Sequence, residues 1–339
     1  MLKKLLNEAF CTLRITTRGP LLVKSGHASI SGPDMTPVLT WRNGKQEVFI
    51  PGSSLKGVFR SHSEKVVGSL KPRVVCYPFE GNDDKQADLA RRQRDYRDSC
   101  GGMFNRFSKI NDENRRMLEE RTDLVYDASC PACRLYGSTG FIGRIAISDA
   151  YLASEEIKEQ RDGVGIDRLT GGASHGAKFE LEVVSTGVVF ETDIHLRNFE
   201  IWQLGMLFVV LQDMEDELIH IGSGRSRGLG KVTAAISAGG SNGRPGGFVT
   251  SAIRNDREPA NQLWGLGRWL DDRSYGTWQD DYLELTRQGE RSERGIRVMR
   301  AFSGDALNDL RSLAIDQFVK RMQAWPEELP KEFRAVRNR

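Results

Sequence analysis

Four of the cysteines in this 339-residue chain lie where sulfur could do chemistry. Cys130-Pro131-Ala132-Cys133 is a C-x-x-C pair, and Cys76 and Cys100 precede it in a polar stretch with little apolar content. Four thiolates can close a tetrahedral Zn²⁺ site, and metal binding would supply folding free energy that such a stretch cannot draw from a core. The rival readings are a redox pair, for which no thioredoxin-like context is present, and free buried cysteines. His62 is a substitute ligand should one cysteine stand apart, and Cys11 alternates into an apolar strand face and reads as core.

The second chemistry is phosphate binding. Residues 46–50 read as a strand, Pro51-Gly52 ends it, and Ser53 is placed to cap a helix over 54–67. Free N–H groups at such a terminus, with the hydroxyls of Ser53 and Ser54 and the cations of Lys56 and Arg60, suit a phosphate. A Walker loop is excluded, because Val58 follows Gly57 where Lys-Ser/Thr is required. A second glycine-rich stretch, 219–232, almost gives a dinucleotide fingerprint. There Arg227 takes the place of the third glycine and the loop follows a helix, so that reading fails too.

Composition sets the outer bounds. The chain has 49 Lys+Arg against 46 Asp+Glu, a net +3 that neither demands nor excludes a polyanionic partner, so local patches decide. Five cysteines, an odd number, do not make a secreted disulfide scaffold and suit a reducing compartment. The longest apolar stretch, 204–211, is too short to span a bilayer. The expectation is a soluble cytoplasmic protein with no membrane partner.

The elements that must position these residues follow from periodicity. Residues 10–17 alternate as a half-buried strand, and 19–40, rich in Gly, Ser and Pro, reads as an exposed loop carrying His27 and Asp34. Residues 71–135 form an insertion, irregular and charged, with a basic run at Arg91, Arg92, Arg94 and Arg97. A strand is predicted over 141–151, and a projecting arm or long hairpin over 154–177 that holds Asp167 and Arg168. Residues 178–185 and 188–196 read as a hairpin turning at Thr186-Gly187. Asn198 is placed to cap a helix over 199–218 that buries Ile201, Leu204, Phe208, Leu211 and Leu218, and the last strand is 230–237. This order is close to β-α-β-β-α-β with one extra strand, an α+β, ferredoxin-like (RRM-like) domain over 1–238. Residues 239–250 read as a linker and 251–339 as a helical appendage, with Leu266, Trp269, Leu270, Leu307, Leu310, Ala314 and Phe318 at helical intervals.

The stretches 50–60 and 219–232, with Gly165-Ile166-Asp167-Arg168-Leu169-Thr170-Gly171-Gly172-Ala173 between them, resemble the RAMP superfamily of CRISPR proteins. More narrowly, residues 10–237 resemble the backbone subunit of type III effector complexes. The resemblance implies copies of the chain stacked with other effector subunits along one guide RNA, a thumb that interrupts the guide–target duplex, and cleavage of complementary target RNA. It assigns Ser53, Ser54, Lys56 and Arg60 to the guide backbone, and likewise Gly222, Gly224, Arg225, Ser226, Arg227 and Gly228 of the glycine loop. Glycines let RNA approach while the arginines pair with phosphates. Arg168 falls in the thumb.

Asp34, in Pro33-Asp34-Met35-Thr36-Pro37-Val38, resembles the loop aspartate that the family uses for target cleavage. The reaction implied is attack of a ribose 2′-OH on its neighbouring phosphate, with the carboxylate binding Mg²⁺ or accepting the proton. An Asx-turn aspartate and a His27 base are the alternatives at this position. The reading is a guided endoribonuclease. Its rivals are a non-catalytic RNA scaffold, a metal-independent guide-processing endoribonuclease, and a zinc regulator, for which no recognition helix is visible.

Overall fold

A computed structural model describes residues 4–25, 33–78, 96–240, 245–253, 257–270, 274–276 and 278–334. His27, Arg91, Arg92 and Arg94 lie outside the described residues. In β1 (Asn7–Thr17) the two-residue period buries Ala9, Cys11, Leu13 and Ile15. The β2 (Leu39–Arg42) and β3 (Lys45–Ile50) pair turns at Asn43-Gly44, both at positive φ, 52° and 77°. That Asn-Gly signal for a tight hairpin is present in the sequence, although only β3 is predicted above. Helix α1 (Gly52–Leu70) follows, burying Leu55, Phe59 and Val67.

From Cys100 onward the described part of the insertion is helical rather than irregular. It holds α2 (Cys100–Ser108), α3 (Asp112–Glu120), α4 (Thr122–Asp127) and α5 (Pro131–Tyr136). Met103, Phe104 and Phe107 of α2 and Val125 of α4 are buried in the main core. Apolar residues in short helices three or four apart, too few for a clear period, carry this packing.

The strand predicted over 141–151 is broken into β5 (Phe141–Ile142), β6 (Ile145–Ile147) and β7 (Ala150–Leu152), with β4 (Gly137–Ser138) pairing β5. The arm is a hairpin, β8 (Lys158–Ile166) with β9 (Ala173–Val184). The hairpin expected between 178–185 and 188–196 does not form. Gly187 does turn, at φ 89°, but it carries the chain from one sheet into another. β9 stays with β8, whereas β10 (Val189–Arg197) pairs β1, β6 and β7. Alternation shows that a strand has a buried face but not which strand it lies beside.

After β10 come α6 (Ile201–Glu215) and β11 (Val232–Ile236), and Leu218 falls beyond the end of α6, exposed. Glu200, not Asn198, caps α6, through a capping box with Gln203. The order β11-β1-β10-β6/β7 is antiparallel throughout, the arrangement of a β-α-β-β-α-β unit with α1 and α6 as its helices.

The C-terminal region departs most from expectation, being mixed rather than helical. β12 (Phe248–Ile253) pairs Asn7–Phe10 of β1, and β16 (Arg297–Phe302) and β15 (Glu290–Arg294) continue the sheet outward. β13 (Gln262–Trp264) and β14 (Tyr282–Glu284) form a small separate ribbon flanking α7 (Leu266–Trp269). The helical period of Leu307, Leu310, Ala314 and Phe318 is realised in α8 (Gly304–Gln323), and α9 (Lys331–Arg334) ends the described chain.

α8 packs on α6, which explains why α6 is apolar nearly all round. A Cβ at Gly205 would strike the Ala314 carbonyl and the Phe318 side chain. Gly205→Ala is expected to lower stability by about 1–3 kcal/mol through overpacking, outweighing a gain in helix propensity of about 1 kcal/mol. Gly68→Ala, with open space around it, should show only the gain. Urea unfolding of the two variants checks the contrast, and equal shifts would mean that α6 and α8 are not in backbone contact.

Candidate nucleic-acid interface and metal centre

The glycine loop is folded back on the segment that follows β1. The Ile221 N–H donates to the Gly230 carbonyl at 2.8 Å, Gly230 to Pro20 at 2.7 Å, and Ser223 to Leu22 at 2.8 Å. Gly222 and Gly230 have φ of 81° and 82°, and a Cβ on either would collide with the backbone of Leu22 or Ile221. Backbone packing therefore requires these two glycines. Gly224 and Gly228, also left-handed, flank a single turn, Arg225–Arg227, whose side chains are exposed. No packing contact restricts Gly228. The Arg225 Nε donates to the Gly222 carbonyl at 3.0 Å, and the Arg227 guanidinium lies over the Phe179 ring at 5.5 Å.

A small apolar cluster separate from the main core unites three segments. Leu22, Leu181, Val183 and Leu229 are buried in it, with Met35 and Phe179 against them. Beside Met35, the exposed Asp34 carboxylate accepts the Glu180 N–H at 2.8 Å through Oδ2. Met35 also exchanges backbone bonds with Glu180 and Glu182, at 3.2 and 2.9 Å. Asp34 and Arg227 thus contact neighbouring residues of β9, at the base of the arm. Arg168 is at the opposite end, in a turn where Asp167 Oδ1 accepts the N–H groups of Leu169 and Thr170 at 2.8 and 2.9 Å. Leu169 there is 98% exposed.

The helix-start residues diverge. Pro51, not Ser53, is the N-cap residue of α1, and it makes no side-chain cap bond. The Gly52 N–H instead donates to Asp149 Oδ1 at 2.7 Å, so a carboxylate of the protein already occupies part of this positive terminus. The break between β6 and β7 puts Asp149 there, and no local sequence signal announces it. Ser54 shares a groove of about 600 Å³ with Gly222 and Arg225, and Lys24, Lys65 and His220 add positive or titratable groups to it. Lys65 was legible, since 54, 58, 61 and 65 follow one face of a helix. Ser53 and Lys56 face a second groove of about 720 Å³ with Lys4, Arg144 and Arg197. Burial and then the charge of Arg60 hold the Lys56 ammonium below its ordinary pKa. Arg60 itself turns toward the cysteines.

Cys76, Cys100, Cys130 and Cys133 are all buried, with their sulfurs within 4.8 Å of one another. The Cys76 and Cys133 sulfurs are 3.5 Å apart. A tetrahedral ion with metal–sulfur bonds of about 2.3 Å would hold its sulfurs about 3.8 Å apart, so the donor set fits. Helix starts place the ligands: Ser99 caps α2 at Cys100, and Cys130 caps α5, its sulfur accepting the Cys133 N–H at 3.4 Å. Cys100 Sγ accepts the Cys130 N–H at 3.3 Å. Thiol contacts with Cys100 first, then with Cys130, push Cys76 well up. At Cys130 burial pushes upward, yet contacts from its three neighbours and the charge of Arg97 hold the thiol well down. His62 is not in this cluster and pairs with Asp213. The Cys11 thiol, pushed up to about 12 by burial and then by Asp193, is core.

Against known proteins, the family model of the RAMP superfamily matches residues 14–233, from within β1 to within β11. A search of curated proteins finds no match. No helix among the described residues is long and apolar enough to cross a membrane.

Leu229→Ala should cost about 2–5 kcal/mol where the loop, Asp34 and the arm meet. Hydrogen exchange is the direct measurement. The amides of Met35 and Glu182 should exchange faster, with the β1–β10 amides unchanged, and wild-type exchange at Met35 would remove Leu229 as the link.

Proposed function

We propose, from the premise that this chain belongs to the RAMP superfamily, that it is the guide-RNA-binding backbone subunit of a type III-like CRISPR effector and cleaves complementary target RNA. Membership alone makes it an RNA-binding, CRISPR-associated protein that works with other effector subunits. The finer reading is supported by one observation. The glycine loop, the Asp34 segment and the arm base share a single apolar cluster, so an exposed carboxylate and exposed arginines stand on one platform.

On this reading, guide phosphates lie along the groove of Ser54, Lys65 and Arg225, and base pairing, not the protein, reads the target sequence. The arm, Arg168 near its tip, separates the duplex beside Asp34. The target's 2′-oxygen bonds to its neighbouring phosphorus, the P–O5′ bond breaks, the leaving O5′ takes a proton from solvent water, and a 2′,3′-cyclic phosphate and a 5′-hydroxyl result. Asp34 accepts or orients the 2′-proton. One exposed carboxylate suits Mg²⁺, which keeps most of its waters and shares substrate phosphates. Asp34 would hold the ion, and when bound the ion would supply charge stabilisation to the phosphate.

The Glu180 N–H on Asp34 favours a second reading, in which the carboxylate only anchors the loop and the chain is a scaffold. The two separate in the guide-loaded assembly, with target binding followed in parallel. Asp34→Asn keeps an oxygen for the Glu180 N–H and removes the charge. Cleavage in Mg²⁺ should fall by about 10²–10⁴ in Asp34→Asn and Asp34→Ala with target bound normally, and EDTA should stop the wild type. Wild-type rates in Asp34→Asn would leave Asp34 as an anchor.

The cysteine cluster is proposed to hold a structural Zn²⁺ that folds the insertion onto α1. Purified chain should carry one zinc by elemental analysis. Each of Cys76→Ser, Cys100→Ser, Cys130→Ser and Cys133→Ser should lower zinc content and melting temperature, while Cys11→Ser should leave the zinc in place.

A further inference from the structure

The helix-start motif would send Arg60 to RNA, but all three of its guanidinium nitrogens are engaged inside the protein. Nε donates to Glu64 Oε1 at 2.8 Å, Nη1 to the Gly137 carbonyl at 2.9 Å, and Nη2 to Cys133 Sγ at 3.4 Å. Its side chain is 21% exposed. Arg97 lies beside the same cluster, bridged to Cys76 through its backbone. Its N–H and carbonyl bond to Val75 and Tyr77, which sets it beside Cys76, and its Nη2 donates to the Ala128 carbonyl at 2.6 Å. Two arginines, one from α1 and one from the insertion, therefore lie by one buried set of four sulfurs.

Charge bookkeeping explains why. Four thiolates around a divalent ion carry a net charge of about −2, and a buried charge of that size requires opposite charge and N–H donors close by. The Cys130 and Cys133 N–H groups supply two donors to the sulfurs. Glu64, beside Arg60 and one turn along α1, orients the guanidinium and is itself pushed toward its neutral form, by burial first.

We propose that Arg60 and Arg97 are the counter-cations of the four-cysteine centre, and that Arg60 is a positioning residue of that centre rather than an RNA contact. The inference rests on reading the cysteines as a metal site. It also gives the centre a mechanical role. α1 presents Ser54, Ser61 and Lys65 to the groove it shares with the glycine loop, while Arg60 ties the same helix to Cys133 and Gly137. The centre thereby fixes the rotation of the RNA-facing helix.

The test titrates full-length chain with Co²⁺, read by thiolate charge-transfer absorption, and competes bound Zn²⁺ against a chromophoric chelator. Arg60→Met and Arg97→Met should bind either ion roughly 10–100-fold more weakly, with Arg60→Lys between them and wild type. Circular dichroism of the ion-saturated variants controls for folding. In parallel, the salt dependence of binding to a single-stranded RNA should keep its slope in Arg60→Met and lose about 0.7 in Arg225→Met. Wild-type ion affinity in both arginine-to-methionine variants overturns the inference, as does a slope lost in Arg60→Met with ion affinity intact. Absence of thiolate absorption in the wild type removes the metal reading beneath it, a distinguishable failure.

Discussion

The contact among Leu22, Leu181, Val183 and Leu229 is the junction on which the candidate interface depends. It joins the segment after β1, the base of β9 and the glycine loop, none of which is adjacent in sequence to the others. The backbone geometry serves this contact. Gly222 and Gly230 let the loop lie directly on Leu22 and Pro20, and Leu229 reaches the cluster only because the loop closes there. A loop that looks built for ligand access is, at Gly222 and Gly230, built for packing. Its middle, Gly224 to Gly228 with Arg225 and Arg227, is left exposed.

A single helix then distributes chemistry to three places. Ser53 and Lys56 face one groove, Ser54 and Lys65 another, and Arg60 the cysteines, because successive residues on α1 point about 100° apart. A motif read as one phosphate cradle is in fact a hub. Lys56 and Arg60 also repel each other, and with Arg60 drawn inward to Cys133 and Glu64, Lys56 is the one of the two that joins Lys4, Arg144 and Arg197 in the groove.

What was legible in the sequence was local. The alternation of β1, the apolar face of α8 and the arm as a projecting hairpin follow from periodicity and turn residues. The convergence of four cysteines spread over 58 residues was also legible, from a C-x-x-C pair and two further cysteines in one insertion, although that insertion has apolar residues of its own in the main core, Met103, Phe104 and Phe107 among them. What was not legible was partnership. The run 178–196 contains two strands and a turn, and nothing in their alternation says that one belongs to the arm and the other to the central sheet. Asp149 meets Gly52 only once the chain has passed through the whole insertion.

The C-terminal strands show the same limit and change what the domain is. β11 covers β1 from Leu13 to Thr17, and β12 covers the same edge from Asn7 to Phe10. Four strands alone would leave the first half of β1 with unpaired N–H and carbonyl groups, an edge that invites association. β12 closes it, and the closure reaches further. The Asn7 amide donates to Phe199 and Trp264, and the Asp281 carboxylate takes the N–H groups of Ile201 and Gly267. The start of α6 is therefore held by residues from beyond the family match, which ends at 233. The region read as an appendage completes the sheet and fixes the helix that leads into the glycine loop, so that loop is anchored from both ends of the chain.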